Sequence, residues 1–438
     1  MSRLRAAVFA TTAGAVTYGL ALVFMDVLLA RMYGLGGQAA VFQAAYQVPA
    51  MLLAVLSGGA VIGPLVPVIS RLRRQTDEAT TNYELARVTG FVTGVHGIVI
   101  VILLAFAGLL ALLLGSGFPP GLQADLTVAI RWGLVLLVVH GLASVGISAL
   151  LSCGHVGVAS LVPALMPVAG MATFPWWGAD GALLILYGYI AGTVVRVAVT
   201  AAVLRRDGLV FLPPAVPRGA VVATFANTFI ATGLAHAALS AVLLVNMAVA
   251  GGMSERELAA FSYGTRLVML ALAFLTTLVN NVGLPHLSEL AHGKGRDEYR
   301  DALVRMLRIA VAGSSAFALV WIVSADEVVR FVYVRDSFTA ADAAAVATIQ
   351  RAFVLQAPFY VMGVICWRAL NVSGKAWPLV LASMAALAVD VPLAMWASVR
   401  WGSSGIAGAH TIATAVWGLL LLAAVQHQYR NGNIRGAR

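Results

Sequence analysis

Apolar runs of about twenty residues, long enough to cross the hydrocarbon core of a bilayer as a helix, recur from one end of this chain to the other. They fall near 6–30, 41–69, 85–114, 127–151, 156–173, 180–204, 219–250, 257–284, 302–324, 346–370, 376–398 and 404–427 of a 438-residue sequence. Short polar loops separate them. Only 11% of the residues are charged and 61% are hydrophobic, whereas a soluble protein has roughly a quarter of its residues charged. The sequence therefore specifies an all-α polytopic membrane protein with about twelve transmembrane helices. The opening MSRLRAAVFA resembles a signal-peptide start, but the apolar segment runs on to Ala30 with no cleavage site. It reads as a retained first helix. Cys153 and Cys366 are too few, and too close to apolar spans, for a disulfide framework or a metal site.

The formal net charge of +10 would suit a polyanion, but its distribution points to topology. Alternate loops hold Arg3, Arg5, Arg71, Arg73, Arg74, Arg205, Arg206, Arg218, Lys294, Arg296, Arg300, Lys375 and the basic tail to Arg438. The opposite loops are poorer in basic residues and hold Asp125, Asp180, Glu255, Asp326, Glu327, Asp336 and Asp342. By the positive-inside rule both termini are cytoplasmic, and the expected partners are membrane lipids, with no nucleic acid. The longest outer segment, 325–345, reads as a short surface helix or ordered loop.

A weak internal repeat divides the chain. The second apolar segment begins at Phe42, contains Gln47 and ends in VPVIS; the eighth begins at Phe261, contains Arg266 and ends in LPHLS. Both run inward and are followed by polar loops reaching Tyr83 and Tyr299. This predicts two pseudo-symmetric six-helix lobes, 1–210 and 211–438, joined by the proline-containing RRDGLVFLPPAVPRG. Pseudo-symmetric halves are the usual architecture of alternating-access transporters.

An ionisable side chain in lipid costs roughly 2.5–3.5 kcal/mol on insertion scales, so it faces a cavity or a partner. The candidates are Asp26, Arg31, His96, His140, Arg196, His236, Arg266, Arg351, Arg368, Asp390 and His410. Arg31, Arg196, Arg351 and Arg368 are expected to snorkel from helix ends. Arg266 lies about two turns inside the eighth segment. There its planar donor fork suits phosphate or pyrophosphate, or a structural pair with Asp26. Asp390, followed by Pro392, sits where a proline-freed carbonyl and a carboxylate together suit Na⁺ or a proton. Asn227, His236 and Asn246 are its possible companions. The competing reading is interhelical hydrogen bonding. The remaining histidines read as packing residues. No G-x-x-x-x-G-K-[ST], H-E-x-x-H or G-x-S-x-G occurs, and no cluster of catalytic residues marks an interface. Transport is favoured over catalysis.

The pattern F-x-x-A-Y-x-x-P-x-x-L…G-A-x-x-x-x-x-V-P from Phe42 to Pro67, with ARMYG before it, resembles the second helix of the MurJ/MviN family. These are lipid II flippases within the multidrug and oligosaccharidyl-lipid exporter superfamily. Y-x-x-R-L and L-P-x-L-S within 261–303, and FVYVRDSFTAADAAAVATIQRAF at 331–353, extend the resemblance over nearly the whole chain. It implies a two-lobed protein with a central cavity, moving a polyprenyl-pyrophosphate-linked glycan outward across the bacterial inner membrane. That glycan is lipid II or an exopolysaccharide precursor. The resemblance places cavity residues at Arg266, Asp26 and Arg368, with Gln43 and Gln47 able to line the same cavity. It also implies an ion site at Asp390, with Asn227 a companion. No cofactor is expected beyond coupling to Na⁺, H⁺ or the membrane potential, and glycan synthases or polymerases are the expected protein partners.

The departures concern charge. Gly19, Met25 and Leu53 stand where the family pattern has arginines, and Ala40 and Gly58 where it has acids. The chain also stops after twelve segments, where the family pattern has two more. Two rivals follow: a cation or drug antiporter of the same superfamily, and a non-transporting scaffold in envelope synthesis.

Overall fold

Proline and glycine punctuation, set in otherwise apolar helix-forming sequence, fixes where the helices stop. The computed structural model describes residues 2–53, 55–56, 61–293, 296–372 and 377–430. The described residues are almost wholly helical. Nine helices among them are long and apolar enough to cross a membrane, or ten if the bent pair Ala340–Val354 and Ala357–Leu370 forms one span. The surface is inverted relative to a soluble protein. Val323, Phe331 and Val399 are at least 80% exposed, while Asp26, Gln43, Thr89, His96, Asn246 and Asp390 are fully buried. Apolar side chains face outward to lipid and polar ones face each other inside.

Contacts divide the chain into two compact units. The first comprises Met1–Ser240 with Gly251–Arg256; the second comprises Ala241–Ala250 with Glu257–Arg438. In the first unit, α1 (Ser2–Tyr33) is followed by α2 (Gly37–Leu53) and α3 (Gly63–Gln75). These two are the halves of the second apolar segment, with π-type turns at 55–56 and 61–62 between them. Pro49, Pro64 and Pro67 withhold backbone donors along this stretch, so it cannot hold one continuous ladder. There follow α4 (Glu78–Ala105), α5 (Ala107–Leu114), α6 (Pro120–Ser152), α7 (Val156–Leu161), α8 (Leu165–Ala172) and α9 (Gly181–Arg206).

Helix α6 is the hub, packing on α2, α3, α4, α5 and α9. The core joins Leu65 and Ile69 of α3, Val88 and Val92 of α4, Ala143 and Leu150 of α6, and Leu204 of α9. On the other side α8 lies tight against α9. A Cβ on Gly192 would come within 2.3 Å of the Leu165 carbonyl, so only glycine permits the approach.

The proline-rich join after α9 is docked rather than free. Asn82 of α4 donates to the Gly208 carbonyl and accepts from the Val210 amide, both at 2.9 Å. The Ala215 amide donates to the Ala86 carbonyl, and Leu209 and Phe211 are buried in the first unit's core.

Helix α10 (Ala220–Met253) contributes residues to both units. The second unit continues with α11 (Glu255–Gly293), α12 (Arg296–Tyr333), α13 (Ala340–Val354), α14 (Ala357–Val372) and α15 (Trp377–Arg430). The segment 325–345, read from sequence as a surface helix or loop, is mostly the ends of α12 and α13. A tight turn between them is closed by an Arg335–Phe338 bridge. Thr339 starts α13 with a reciprocal capping box to Asp342. Tyr263, Tyr333 and Phe338 pack ring to ring beneath that turn. Helix α15 is two helices meeting at Gly402, whose φ of 60° and ψ of −147° suit glycine alone. The Ser403 amide exposed at this break donates to the Glu257 carboxylate at 3.2 Å.

Candidate functional site

The first unit holds Asp26, Gln43 and Gln47. Asp26 lies on α1 about two turns before Tyr33 and is fully buried and engaged. Gln43 and Gln47, one turn apart on α2, are buried and half-buried respectively. Gln43 sits beside an aromatic group in which Tyr189 of α9 meets both Phe42 and Tyr46 edge-on.

Deeper in the same unit is a group the sequence reading had divided differently. Arg196 was expected to snorkel. Instead it lies about 15 Å from the Arg206 end of α9 and about 22 Å from the Gly181 end, too far from either to reach an interface. It is only 4% exposed. Its Nη1 lies 3.5 Å from Nε2 of His140 on α6. His96 of α4 is sealed alongside, its Nδ1 2.7 Å from the Val92 carbonyl oxygen.

These residues close stripes of small polar side chains. Thr193, Arg196 and Thr200 lie on one face of α9, and His140, Ser144 and Ser148 on one face of α6. Each serine bonds back to the carbonyl four residues before it, so these hydroxyls need no outside partner. The spacing of three and four on α9 was the available signal. A charge set in a polar stripe belongs inside a bundle, whereas one in an apolar surround near a helix end snorkels.

In the second unit Arg266 sits about three turns into α11, half-buried and engaged. Arg368 is exposed late in α14. Arg351 is half-exposed; it pairs with Asp326 and donates to the Ile322 carbonyl at 3.2 Å. On α1, Arg31 is exposed in the last turn, where snorkelling suits it.

The most developed group in this unit spans three helical segments. Asn246 Nδ2 donates to Asp390 Oδ1 at 3.3 Å and lies 3.0 Å from Nδ1 of His410. That nitrogen must therefore accept, which places the imidazole proton on Nε2. The ring of Phe353 stacks on His410 with centroids 4.8 Å apart. Asp390 and Asn246 are fully buried and His410 is 7% exposed. Asp390 Oδ2 and Asn246 Oδ1 have no hydrogen-bond partner among the described residues. Pro392, inside the helix, frees the Ala388 carbonyl one turn back. The side chain of Asn227 lies outside the described residues, as do Gly58 and the side chains of the LPHLS stretch.

Buried carboxylate, amide, imidazole and guanidinium groups, enclosed by helices that turn apolar faces outward, define a multi-pass membrane protein with its polar chemistry inside. Solved structures share this fold. A solved structure titled lipid II flippase MurJ, inward closed conformation, matches with a TM-score of 0.77 at 18% identity, over 97% of this chain and 88% of that one. An inward-facing multidrug resistance MATE family transporter of the MOP superfamily matches with a TM-score of 0.76 at 13% identity, over 96% and 98%. The probable lipid II flippase MurJ of Bdellovibrio bacteriovorus is 25% identical over 94% of this chain and 80% of its own length. The family model described as lipid II flippase MurJ matches residues 29–435, and the chain belongs to that family.

Proposed function

We propose that this protein flips a polyprenyl-pyrophosphate-linked glycan, lipid II or an exopolysaccharide precursor, across the bacterial inner membrane. It works by alternating access, with both termini in the cytoplasm. The observation that carries the reading is the family match over residues 29–435. Arg266, Asp26, Gln43, Gln47 and Arg368 are the proposed substrate contacts. Arg266 takes a diphosphate oxygen pair through its planar fork.

Coupling runs through Asp390. Two buried oxygens without hydrogen-bond partners among the described residues and a proline-freed carbonyl can share one small cation, Na⁺ or H⁺. A carboxylate buried in this way is stable only when protonated or paired with a cation, so its occupancy can bias one arrangement of the helices over another. Glycan synthases or polymerases that supply and consume the lipid are the proposed protein partners.

Similarity to the MATE transporter supports a second reading, cation-coupled export of a small molecule, through the same Asp390 group. Depleting the protein and analysing lipid-linked intermediates separates the two. The flippase reading expects a polyprenyl-pyrophosphate glycan to accumulate, with Arg266→Ala producing the same effect. Unchanged lipid pools under both conditions would overturn it, and efflux of cationic dyes by the reconstituted protein would support the second.

A further inference from the structure

A guanidinium held near the middle of a membrane helix is costly unless something negative shares its site. Arg196 is 96% shielded, and among the described residues no carboxylate pairs with it. Its one hydrogen-bonding neighbour, His140, cannot supply negative charge. The Nε of Arg196 and the Nδ1 of His140 are both enclosed and without a hydrogen-bond partner. Both can donate, and neither has an acceptor. The phenols of Tyr18 on α1 and Tyr46 on α2 lie within electrostatic range of the guanidinium. Tyr18 is only half-buried, so the α1 side of the group borders accessible surface. Arg196 of α9 and His140 of α6 thus set two unsatisfied donors beside one buried positive charge, which is the chemistry of an oxyanion site.

We propose that Arg196, with His140, forms an anion site in the first unit that takes the pyrophosphate of the translocated lipid. The assignment rests on the flippase reading for the identity of the anion. It also accounts for the missing charges on α1 and α2. Gly19 and Met25 carry none, but a single arginine entering from α9 restores a cation beside Tyr18, next to Gly19 in the chain. The planar fork binds two oxygens of one phosphate, which a lysine cannot reproduce.

The test uses the purified full-length protein in a maltoside detergent, which contains no phosphate. Thermal stability is followed against inorganic pyrophosphate, undecaprenyl pyrophosphate and phosphatidylglycerol. The wild type should be stabilised by both pyrophosphates. Arg196→Gln should lose the response, and Arg196→Lys and His140→Gln should weaken the apparent affinity, the former by about tenfold or more. If Arg196→Gln fails to fold, the Lys and His140→Gln variants decide. Equal pyrophosphate responses in wild type and variants, or none in the wild type, overturn the site. A stronger response to phosphatidylglycerol overturns its assignment to pyrophosphate in favour of a phospholipid headgroup. These outcomes leave the flippase reading standing, because that reading falls only if depletion leaves lipid-linked intermediates unchanged.

Discussion

At the scale of single residues, polar chemistry is inward and its partners come from other helices. Asp390 illustrates what can and cannot be read in one dimension. Its mid-span position and the neighbouring Pro392 mark it in the sequence, but Asn246 reaches it, and His410 and Phe353 join the group through Asn246, only because separate helices converge. Asp390→Asn should fold, since an amide is a near-isostere and removes a buried charge. It should also remove the dependence of transport on the coupling cation. Transport rates measured with and without a Na⁺ or pH gradient check this, and a variant that keeps its gradient dependence contradicts it. Arg196 was misread for the same geometric reason. Helix rotation, which decides whether a charge faces lipid or protein, is only weakly encoded when both faces are apolar. The stripe of Thr193, Arg196 and Thr200 was the trace it left. At the outer turn, Thr339→Ala removes the reciprocal cap of α13 and should cost about 1 kcal/mol, measured by thermal unfolding in detergent.

At the scale of elements, punctuation was legible and continuity was not. The prolines within residues 49–67 mark where the second segment departs from a regular helix, because a missing N–H breaks the ladder wherever the helix lies. The polar segment 325–345, by contrast, reads as a short surface helix or ordered loop, whereas α12 runs on unbroken to Tyr333. Buried Tyr333 and Val329 hold its last turns in place, which shows tertiary packing overriding local polarity.

The join at 207–219 reads as a linker, but Asn82 fastens both sides of its first turn. Asn82→Ala leaves the Gly208 carbonyl and Val210 amide without that partner and should destabilise the first unit by about 1–3 kcal/mol. An Asn82→Ala protein with an unaltered melting temperature would show that the docking is incidental. Gly402→Ala tests the break in α15. Forcing a Cβ into that backbone region should cost about 1–3 kcal/mol and weaken the Ser403–Glu257 contact.

At the scale of the whole molecule, the membrane class was the most legible property, because total hydropathy does not depend on how helices pack. The outward display of Val323, Phe331 and Val399 is its three-dimensional counterpart. Of the residues paired by the sequence repeat, Phe42 and Phe261 are both fully buried and Gln47 and Arg266 are both half-buried. What a linear reading could not supply was how a chain lacking arginines at positions 19, 25 and 53 would hold an anionic head group. Charge can return from any helix, and Arg196 returns it from α9.

The proposed activity is movement of a pyrophosphate-linked glycan lipid coupled to the Asp390 site. Its most direct test is reconstitution into liposomes containing a fluorescent polyprenyl-pyrophosphate glycan, with outer-leaflet label read by a membrane-impermeant quencher under an imposed cation gradient. Gradient-dependent transbilayer movement is expected in the wild type and is lost in both Asp390→Asn and Arg266→Ala. Wild-type movement no faster than in protein-free liposomes, or gradient-dependent movement as fast in either variant as in the wild type, overturns the proposed activity.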